Sequence, residues 1–577
     1  MSKRWVFISD RASCEAAARR WRVPPIVARL LINRDVSPDS LVNDFLAPQM
    51  KDLYPAHQLP GAKKAAERIV RAVREKARIV LYGDYDVDGT TGVAILWHML
   101  RTAGADVSFY VPHRIEEGYG LNSQAAGKLA ADGARMIVSI DCGITAVDVA
   151  DDLRKAGVSL IITDHHQPTN TLPRADTIVH PGLDNTYPNP FLCGAGVAFK
   201  LAWAIAQELS GTARVTPELR TLLVNLLPLA ALGTIADVVP LAGENRIIAK
   251  HGLSGLKSTP FVGLRALMEL AGLNSGGDSV SGYDVGFKLA PRINAAGRMG
   301  HARLAVELLT DATEARAHEI VMYLDGHNRT RQSKERTITK RAYEMIEENG
   351  LACDTRRAIV LASEGWHAGV IGIVAARIVD RYSRPAIVIS LDGEEGQGSG
   401  RSIRSLDLFD ALSACAEHLV SFGGHAMAAG VRVAREKVEA FTEAFVEIAN
   451  NRLSGDDLVP KLRLDAEVAL DQLSLETTET IVSLGPFGIG NPKPKLATGW
   501  IDLADEPRLV GKNQAHLQAS FVENGVRIKA IGFGLRDDYE NLKEHRRCRV
   551  AFEPIVSEFK GRRSVEMKVL DLHFPQP

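Results

Sequence analysis

Short, uncharged and mainly apolar runs recur through the first half of the chain, and several of them end on acidic residues. Ile79-Val80-Leu81 leads through Tyr82 and Gly83 into Asp84-Tyr85-Asp86-Val87-Asp88-Gly89, Met136 to Ile140 delivers Asp141-Cys142-Gly143, and Leu160 to Thr163 delivers Asp164-His165-His166. Runs of this kind, without polar alternation, predict strands buried on both faces, as in a parallel sheet covered by helices. Gly92 to Leu100 predicts the helix after the first strand, and Val147, Ala150, Leu153 and Arg154 suit a crossover helix between the second and third. Right-handed crossovers would bring the three strand ends to one sheet edge, where open α/β sheets bind ligands.

Another uncharged run, Leu222 to Ala236, closes on Asp237, which is either a surface charge at a helix end or a ligand aimed inward. Asp84-x-Asp86-x-Asp88-Gly89 also matches the opening of an EF-hand loop. The closing glutamate of that loop would fall on Ile95, and a strand precedes the loop where a helix is needed, so that reading is excluded. Taken alone, the acids are a solvated turn or a cation site; carboxylates this close repel, and a divalent cation offsets the repulsion. His113 and Arg114 end the strand around Phe109-Tyr110-Val111 at the same edge. There Arg114 clamps a phosphate, neutralises the acids, or does both.

Beyond residue 245 the pattern turns helical, with Lys288 to Met299 forming a glycine-broken segment that holds Arg292, Asn294 and Arg298. The stretch His327 to Arg341 carries six Lys/Arg against one Glu and reads as one long connecting helix. Its basic face is either solvated or the wall of a nucleic-acid channel. From residue 355 a strand-helix-strand pattern begins again, followed by the glycine clusters Gly396 to Ser402 and Ser421 to Gly430. Each cluster is a tight turn or an anion-binding backbone. After a polar linker, residues 460–577 alternate in the manner of strands, as in Leu517, Ala519, Phe521 and Val565, Met567, Val569, with a hairpin turn at Lys560-Gly561. Five or six short strands predict a small OB-like barrel, in which Phe533, Phe552, Arg508 and Lys512 are candidate contacts and core packing is the favoured role of each Phe.

At 577 residues the chain exceeds one core, and its 46% hydrophobic and 24% charged content is ordinary for a globular protein. The net charge of −1 argues neither for nor against nucleic acid. Six scattered cysteines without a Cys-x-x-Cys pair count against a disulfide framework or zinc finger and fit a reducing cytoplasm. Cys142 is a nucleophile or simply a small buried residue. The N-terminal apolar run is too short for a signal peptide, and Thr221 to Ala236, with Asn225 and Pro228, falls short of the roughly 20 residues a membrane span needs. A cytoplasmic protein with no membrane association is expected. Carboxylates and imidazoles without thiolate suit Mn²⁺ or Mg²⁺, and a pair of such ions suits in-line hydrolysis of a phosphodiester.

The order Asp-x-Asp-x-Asp-Gly, Ser-Ile-Asp-Cys-Gly, Asp-His-His, Ala-Asp-Val-Val-Pro resembles the DHH phosphoesterase family, and within it the bacterial single-strand-specific 5′-to-3′ exonucleases. The resemblance implies an α/β multidomain chain. Its expected parts are an N-terminal helical or irregular region at 1–60, a DHH catalytic domain with a doubly wound parallel sheet at 61–245, and a helical segment with the long connecting helix at 246–350. A smaller α/β DHH-associated phosphate-binding domain at 351–455 and a C-terminal OB-like nucleic-acid-binding barrel at 456–577 complete it. It implies Asp86, Asp88, Asp141, His165 and Asp237 as ligands of two divalent cations, Mn²⁺ or Mg²⁺, with Asp141 bridging. Asp84 and Asp164 would orient water or ligands, and His166 would contact the scissile phosphate. Arg114, Arg298, Ser399, Gly400, Arg401 and His425 would bind phosphate or DNA. Related pyrophosphatases carry a histidine where this chain has Tyr82, which counts against a pyrophosphate substrate. The implied activity releases 5′-mononucleotides from single-stranded DNA in recombination and repair. The implied protein is a monomer that cooperates with a single-strand-binding protein and a helicase. Alternatives are a phosphodiesterase for short RNA or cyclic dinucleotides and a non-catalytic single-strand-binding scaffold.

Overall fold

The structure is a computed structural model that describes residues 3–8, 14–37, 39–113, 117–118, 120–274, 279–298 and 302–575. Two compact units divide the chain: Phe7–Asp325 with Leu464–Pro577, and Met1–Val6 with Gly326–Arg463.

In the first unit five parallel strands lie in the order Val107–Tyr110, Ile79–Gly83, Met136–Ile140, Ser159–Thr163, Thr177–Val179. The unbroken apolar runs are explained by burial on both faces. Ile79 and Leu81 enter the core formed with helices Ala62–Arg74, Val87–Thr102 and Gly194–Ser210, whereas Val80 and Tyr82 enter a second core with Ser123–Ala131 and Val147–Lys155. Strand order reverses between Ile79–Gly83 and Met136–Ile140, and a sheet of this order binds its ligand at that crevice. Helix Pro217–Ala236 is long and apolar enough to cross a membrane, yet most of it is buried in this unit's core.

The same unit contains a barrel. Ile501–Leu503, His516–Glu523, Val526–Gly532, Arg562–His573 and Arg547–Phe559 pair in that order, and the last pairs back with the first. Closure with one parallel pair, and helix Tyr539–His545 between the third and fourth strands in sequence, is OB topology. Two strands are longer than expected, at 13 and 12 residues, because Lys560 and Gly561 at φ 50° and 75° close a two-residue hairpin between them. Phe552 is fully buried inside with Phe521 and Met567, so it packs the core, whereas Phe533 is exposed.

Residues 1–60 build one small cluster of their own, Cys14, Ala18 and Ala28 with Trp21 and Ile32 against them, and otherwise pack onto the rest of the chain. Ile26, Val27, Leu30, Leu31, Val42 and Phe45 pack into the barrel core, Leu53, Ala56 and Leu59 join the sheet core, and Arg4–Phe7 forms a strand with Lys461–Leu464. Buried polar side chains hold these parts together. Arg246 donates to Phe45 O (3.0 Å) and Gly485 O (2.9 Å), with its guanidinium 3.9 Å from the Phe45 ring centre. Burial, with Arg34 nearby, lowers its pKa to about 10. Arg34 in turn pairs with Asp465 (3.2 Å) and donates to Asn491 Oδ1 (2.9 Å).

In the second unit the strand order is Ser421–His425, Ala428–Ala434, Glu395–Arg401, Ala386–Asp392, Ile359–Glu364, with only the last pair parallel. The glycines of both clusters therefore lie on strands, and the second cluster is a hairpin that turns tightly at Ala426-Met427. A Cβ at Gly396, Gly398 or Gly400 would fall 2.7, 2.5 or 2.9 Å from Ile389, Val431 or Leu408, so one face of this strand has room only for glycine. The alternate residues Gln397, Ser399 and Arg401 occupy the other face. The connecting helix is Glu314–Glu348, 35 residues long.

Replacing Arg246 with Ala removes two hydrogen bonds and a ring contact from a closed site. We expect a loss of about 2–4 kcal/mol, read as a lower first transition in thermal unfolding with an unchanged far-ultraviolet circular dichroism spectrum.

Candidate metal centre

Four segments of the first unit bring eight functional side chains to the switch point: Asp84, Asp86 and Asp88; Asp141; Asp164, His165 and His166; and Asp237. Asp84 leaves the first strand, and the helix begins at Val87, earlier than its apolar run suggests, because Asp86 caps it. Asp86 Oδ1 accepts from Asp88 N (2.8 Å) and Gly89 N (3.1 Å). Asn294 Oδ1 accepts from Val87 N (3.1 Å). Gly297 does not break its helix, Ala290–Arg298; a Cβ there would lie 2.6 Å from Tyr85 O, so glycine serves close approach to the acidic loop. The side chain of Arg298 and all of Arg114 lie outside the described residues.

Asp88 is buried in the first turn of its helix and reaches the start of Gly194–Ser210, where Gly194 N (2.5 Å) and Ala195 N (2.8 Å) donate to its two oxygens. A Cβ on Gly194 would meet Asp141 Oδ1 at 2.6 Å, and one on Gly233 would meet Asp88 Oδ1 at 2.5 Å. Asp141 sits at φ 62°, a left-handed position that aspartate tolerates better than most residues. Asp237 is the C-cap of Pro217–Ala236, which carries it to the cluster.

Around His165 Nε2 lie Asp141 Oδ1 at 3.1 Å, Asp237 Oδ2 at 3.6 Å and Asp88 Oδ2 at 3.7 Å. Three sets have ligand atoms within 4.8 Å of one another: Asp84, Asp86, Asp141; Asp88, His165, Asp237; and Asp141, His165, His166. Ligands of a small octahedral cation at about 2.1 Å stand about 3.0 Å apart when adjacent and about 4.2 Å when opposite. The spacing and the oxygen and imidazole donors fit such an ion, and the shared Asp141 fits a pair. Burial, then repulsion from Asp88 and Asp86, pushes the Asp237 carboxyl up to about 8. Burial, then Asp88, Asp86 and Asp84, raises Asp141 well above the carboxylate range, and burial lowers His165, leaving a neutral imidazole suited to a ligand.

Asp164 is directed at the two histidines that follow it. Its Oδ1 accepts from the backbone of His165 (2.7 Å) and His166 (3.1 Å) and from His166 Nδ1 (2.7 Å), while Oδ2 accepts from Ile144 N (3.0 Å). Burial would raise its pKa, but these donors hold it low, and in turn it raises His166 against the opposing effect of burial. His180 accepts a hydrogen bond at Nδ1 from Gly182 N (3.0 Å) and so donates from Nε2 to His166 O (2.8 Å), supports that the sequence did not reveal.

Tyr82 faces away from the cluster, its hydroxyl donating to Gly120 O (3.0 Å), so its identity does not alter the ligand set. Cys142 is buried, and burial raises its thiol well above the usual range, which removes the nucleophile reading.

In the second unit Arg401 Nη1 donates to Ser399 Oγ (3.2 Å) and Gly400 O (2.8 Å), and burial lowers the arginine's pKa. Gly372 of helix Ala368–Tyr382 admits both side chains; a Cβ would lie 2.8 Å from Ser399 Oγ and 3.2 Å from Arg401 Nη2. His425 is exposed at the end of the edge strand, opposite Ala428, which on its other side is opposite Arg401. On the connecting helix Arg331 pairs with Glu335 (2.8 Å) and Arg341 with Glu348 (3.3 Å), so part of its basic face is neutralised.

Three family models match separate stretches of the chain. The DHH family N-terminal domain matches residues 78–234, the DHHA1 domain 355–451 and the RecJ OB domain 464–571. The single-stranded-DNA-specific exonuclease RecJ of Bacillus subtilis is 38% identical over 97% of this chain and 70% of its own length. RecJ from Thermus thermophilus, solved in complex with Mn²⁺, superposes with a TM-score of 0.83 at 30% identity over 100% of this chain and 80% of that one. Its Mg²⁺ complex gives 0.77 at 29% over 100% and 79%.

Three outcomes follow from the crowded carboxylates. In the cation-free protein, the raised Asp237 contributes stability below the ordinary carboxylate pKa near 4, and that contribution is lost as pH rises through about 8. Divalent cation must displace these protons, so Mg²⁺ affinity should rise from about pH 6 to about pH 9 with proton release, measured by calorimetry in buffers of different ionisation enthalpy. Gly194→Ala should displace Asp141 and weaken Mn²⁺ binding roughly ten-fold or more, with an unchanged circular dichroism spectrum.

Proposed function

The chain belongs to the RecJ family of single-stranded-DNA-specific exonucleases, and from that membership we propose a divalent-cation-dependent 5′-to-3′ exonuclease that releases 5′-mononucleotides from single-stranded DNA. The observation that carries this reading is the convergence of Asp84, Asp86, Asp88, Asp141, His165, His166 and Asp237 at the switch point, in overlapping sets that share Asp141 and His165. Asp86, Asp88, Asp141, His165 and Asp237 would hold two divalent cations, Mn²⁺ or Mg²⁺, with Asp141 common to two of the ligand sets and Asp84 orienting water or ligands beside them. Bound there, the cations supply Lewis acidity for water and for the charge on the phosphate.

Asp164, bonded to His166 Nδ1, raises the imidazole's pKa against burial, and His166 would contact the scissile phosphate through its other ring nitrogen. Ser399, Gly400 and Arg401 grip the terminal 5′ phosphate, supported by the paired Ser399 and Arg401 side chains and the glycine that admits them. Arg114, Arg298 and His425 are further phosphate or DNA contacts. The five-part division drawn from the sequence assigns hydrolysis to 61–245, end recognition to 351–455 and strand binding to 456–577. We place the enzyme in the cytoplasm as a monomer acting in recombination and repair, with single-strand-binding protein and a helicase supplying its strand. The barrel counts against a dinucleotide phosphodiesterase, and the complete acid set against a non-catalytic scaffold.

Asp141→Ala should lower digestion of end-labelled single-stranded DNA in Mn²⁺ by roughly 10³-fold or more. Equal rates on single strands and blunt duplex in the unaltered protein would refute strand selectivity. Arg401→Ala should raise KM roughly ten-fold for 5′-phosphorylated strands and much less for 5′-hydroxyl strands, measured by steady-state kinetics on matched oligonucleotides.

A further inference from the structure

Tyr283 and Phe287 are 65% and 68% exposed, yet their rings are ordered against each other, with centroids 4.5 Å apart and planes at 23°. Their backbone is anchored. Ser281 and Asp284 form a reciprocal cap, and Val285 and Leu289, at the two ends of a π-helical turn, are wholly buried in the sheet-domain core. The anchored residues turn the rings outward. Such π-turns recur at functional sites.

The segment connects two parts of the nucleic-acid machinery within one unit. At its start, the position a Cβ would take on Gly282 lies 3.4 Å from Phe487 O, in the stretch that enters the barrel. At its end, Asn294 holds Val87 N and Gly297 meets Tyr85 O beside the acids. Among the described residues 279–298, these two rings are the exposed large apolar side chains. Two side chains are far short of the roughly 800 Å² per partner that a stable protein interface buries, but they match the area of a base. Lys288, paired with Asp284 at 2.6 Å and partly exposed, places a cation beside them for a backbone phosphate.

Resting on the exonuclease reading above, we propose that Tyr283 and Phe287 are a stacking platform for a nucleobase of the substrate strand, on its way between the barrel and the acid cluster. Every base has an aromatic face, so the platform is indifferent to sequence, as an exonuclease requires.

The experiment uses the full chain and 5′-phosphorylated single strands carrying 2-aminopurine at successive positions, bound in EDTA so that no hydrolysis occurs. Quenching is expected at one or two positions. The double variant Tyr283→Ala, Phe287→Ala should abolish it and weaken binding about five-fold or more, with an unchanged dependence on salt because no phosphate contact is removed. Phe287→Trp should retain both. In Mn²⁺ the double variant should raise KM for long strands by a similar factor. Quenching and affinity at the unaltered level in the double variant would overturn the platform. Failure of the unaltered protein to digest single strands in Mn²⁺ would overturn the exonuclease reading instead.

Discussion

Mutual repulsion among carboxylates crowded at one sheet crevice is the constraint on which the rest of the structure depends. Folding places Asp84, Asp86, Asp88, Asp141 and Asp237 together, with Asp84, Asp88 and Asp141 buried, and the raised pKa of Asp237 records the cost. Backbone donors at the start of two helices offset part of that cost for Asp86 and Asp88. A divalent cation offsets the remainder, so the site that is least comfortable without an ion is the one best prepared for it.

Such a site needs a stiff frame, because a ligand displaced by an ångström no longer shares an ion. Stiffness comes from strands buried on both faces and from glycines that let helices close on the acids. Gly194 and Gly233 press against Asp141 and Asp88 more closely than a side chain would permit. Arg246, Arg34 and Asn491 then tie the barrel and the N-terminal segment to this frame by buried hydrogen bonds. Each of those groups would be expensive to leave unpaired, which makes the attachment specific in position.

Much of this was legible from residue order. Apolar runs ending on acids marked the strand ends, Lys560-Gly561 marked its hairpin, and the long connecting helix and the barrel followed from periodicity. The meaning of glycine was not legible. At Gly396, Gly398 and Gly400 it is the inner face of a strand, and at Gly297 it is a contact inside a helix, because a missing side chain has no sign of what fills its place. The start of the helix at Val87 was hidden for a related reason: its first turn is polar in order to hold ligands, so it breaks the apolar pattern.

By itself, the sequence determined which acids and imidazoles stand at strand and helix ends, since that placement depends on local periodicity alone. Only the tertiary structure decided that Asp237 turns inward to His165, that Asp164 serves His166, and that Tyr82 and Phe552 belong to cores. Direction and partner are set by packing between segments far apart in the chain, and no local pattern encodes them.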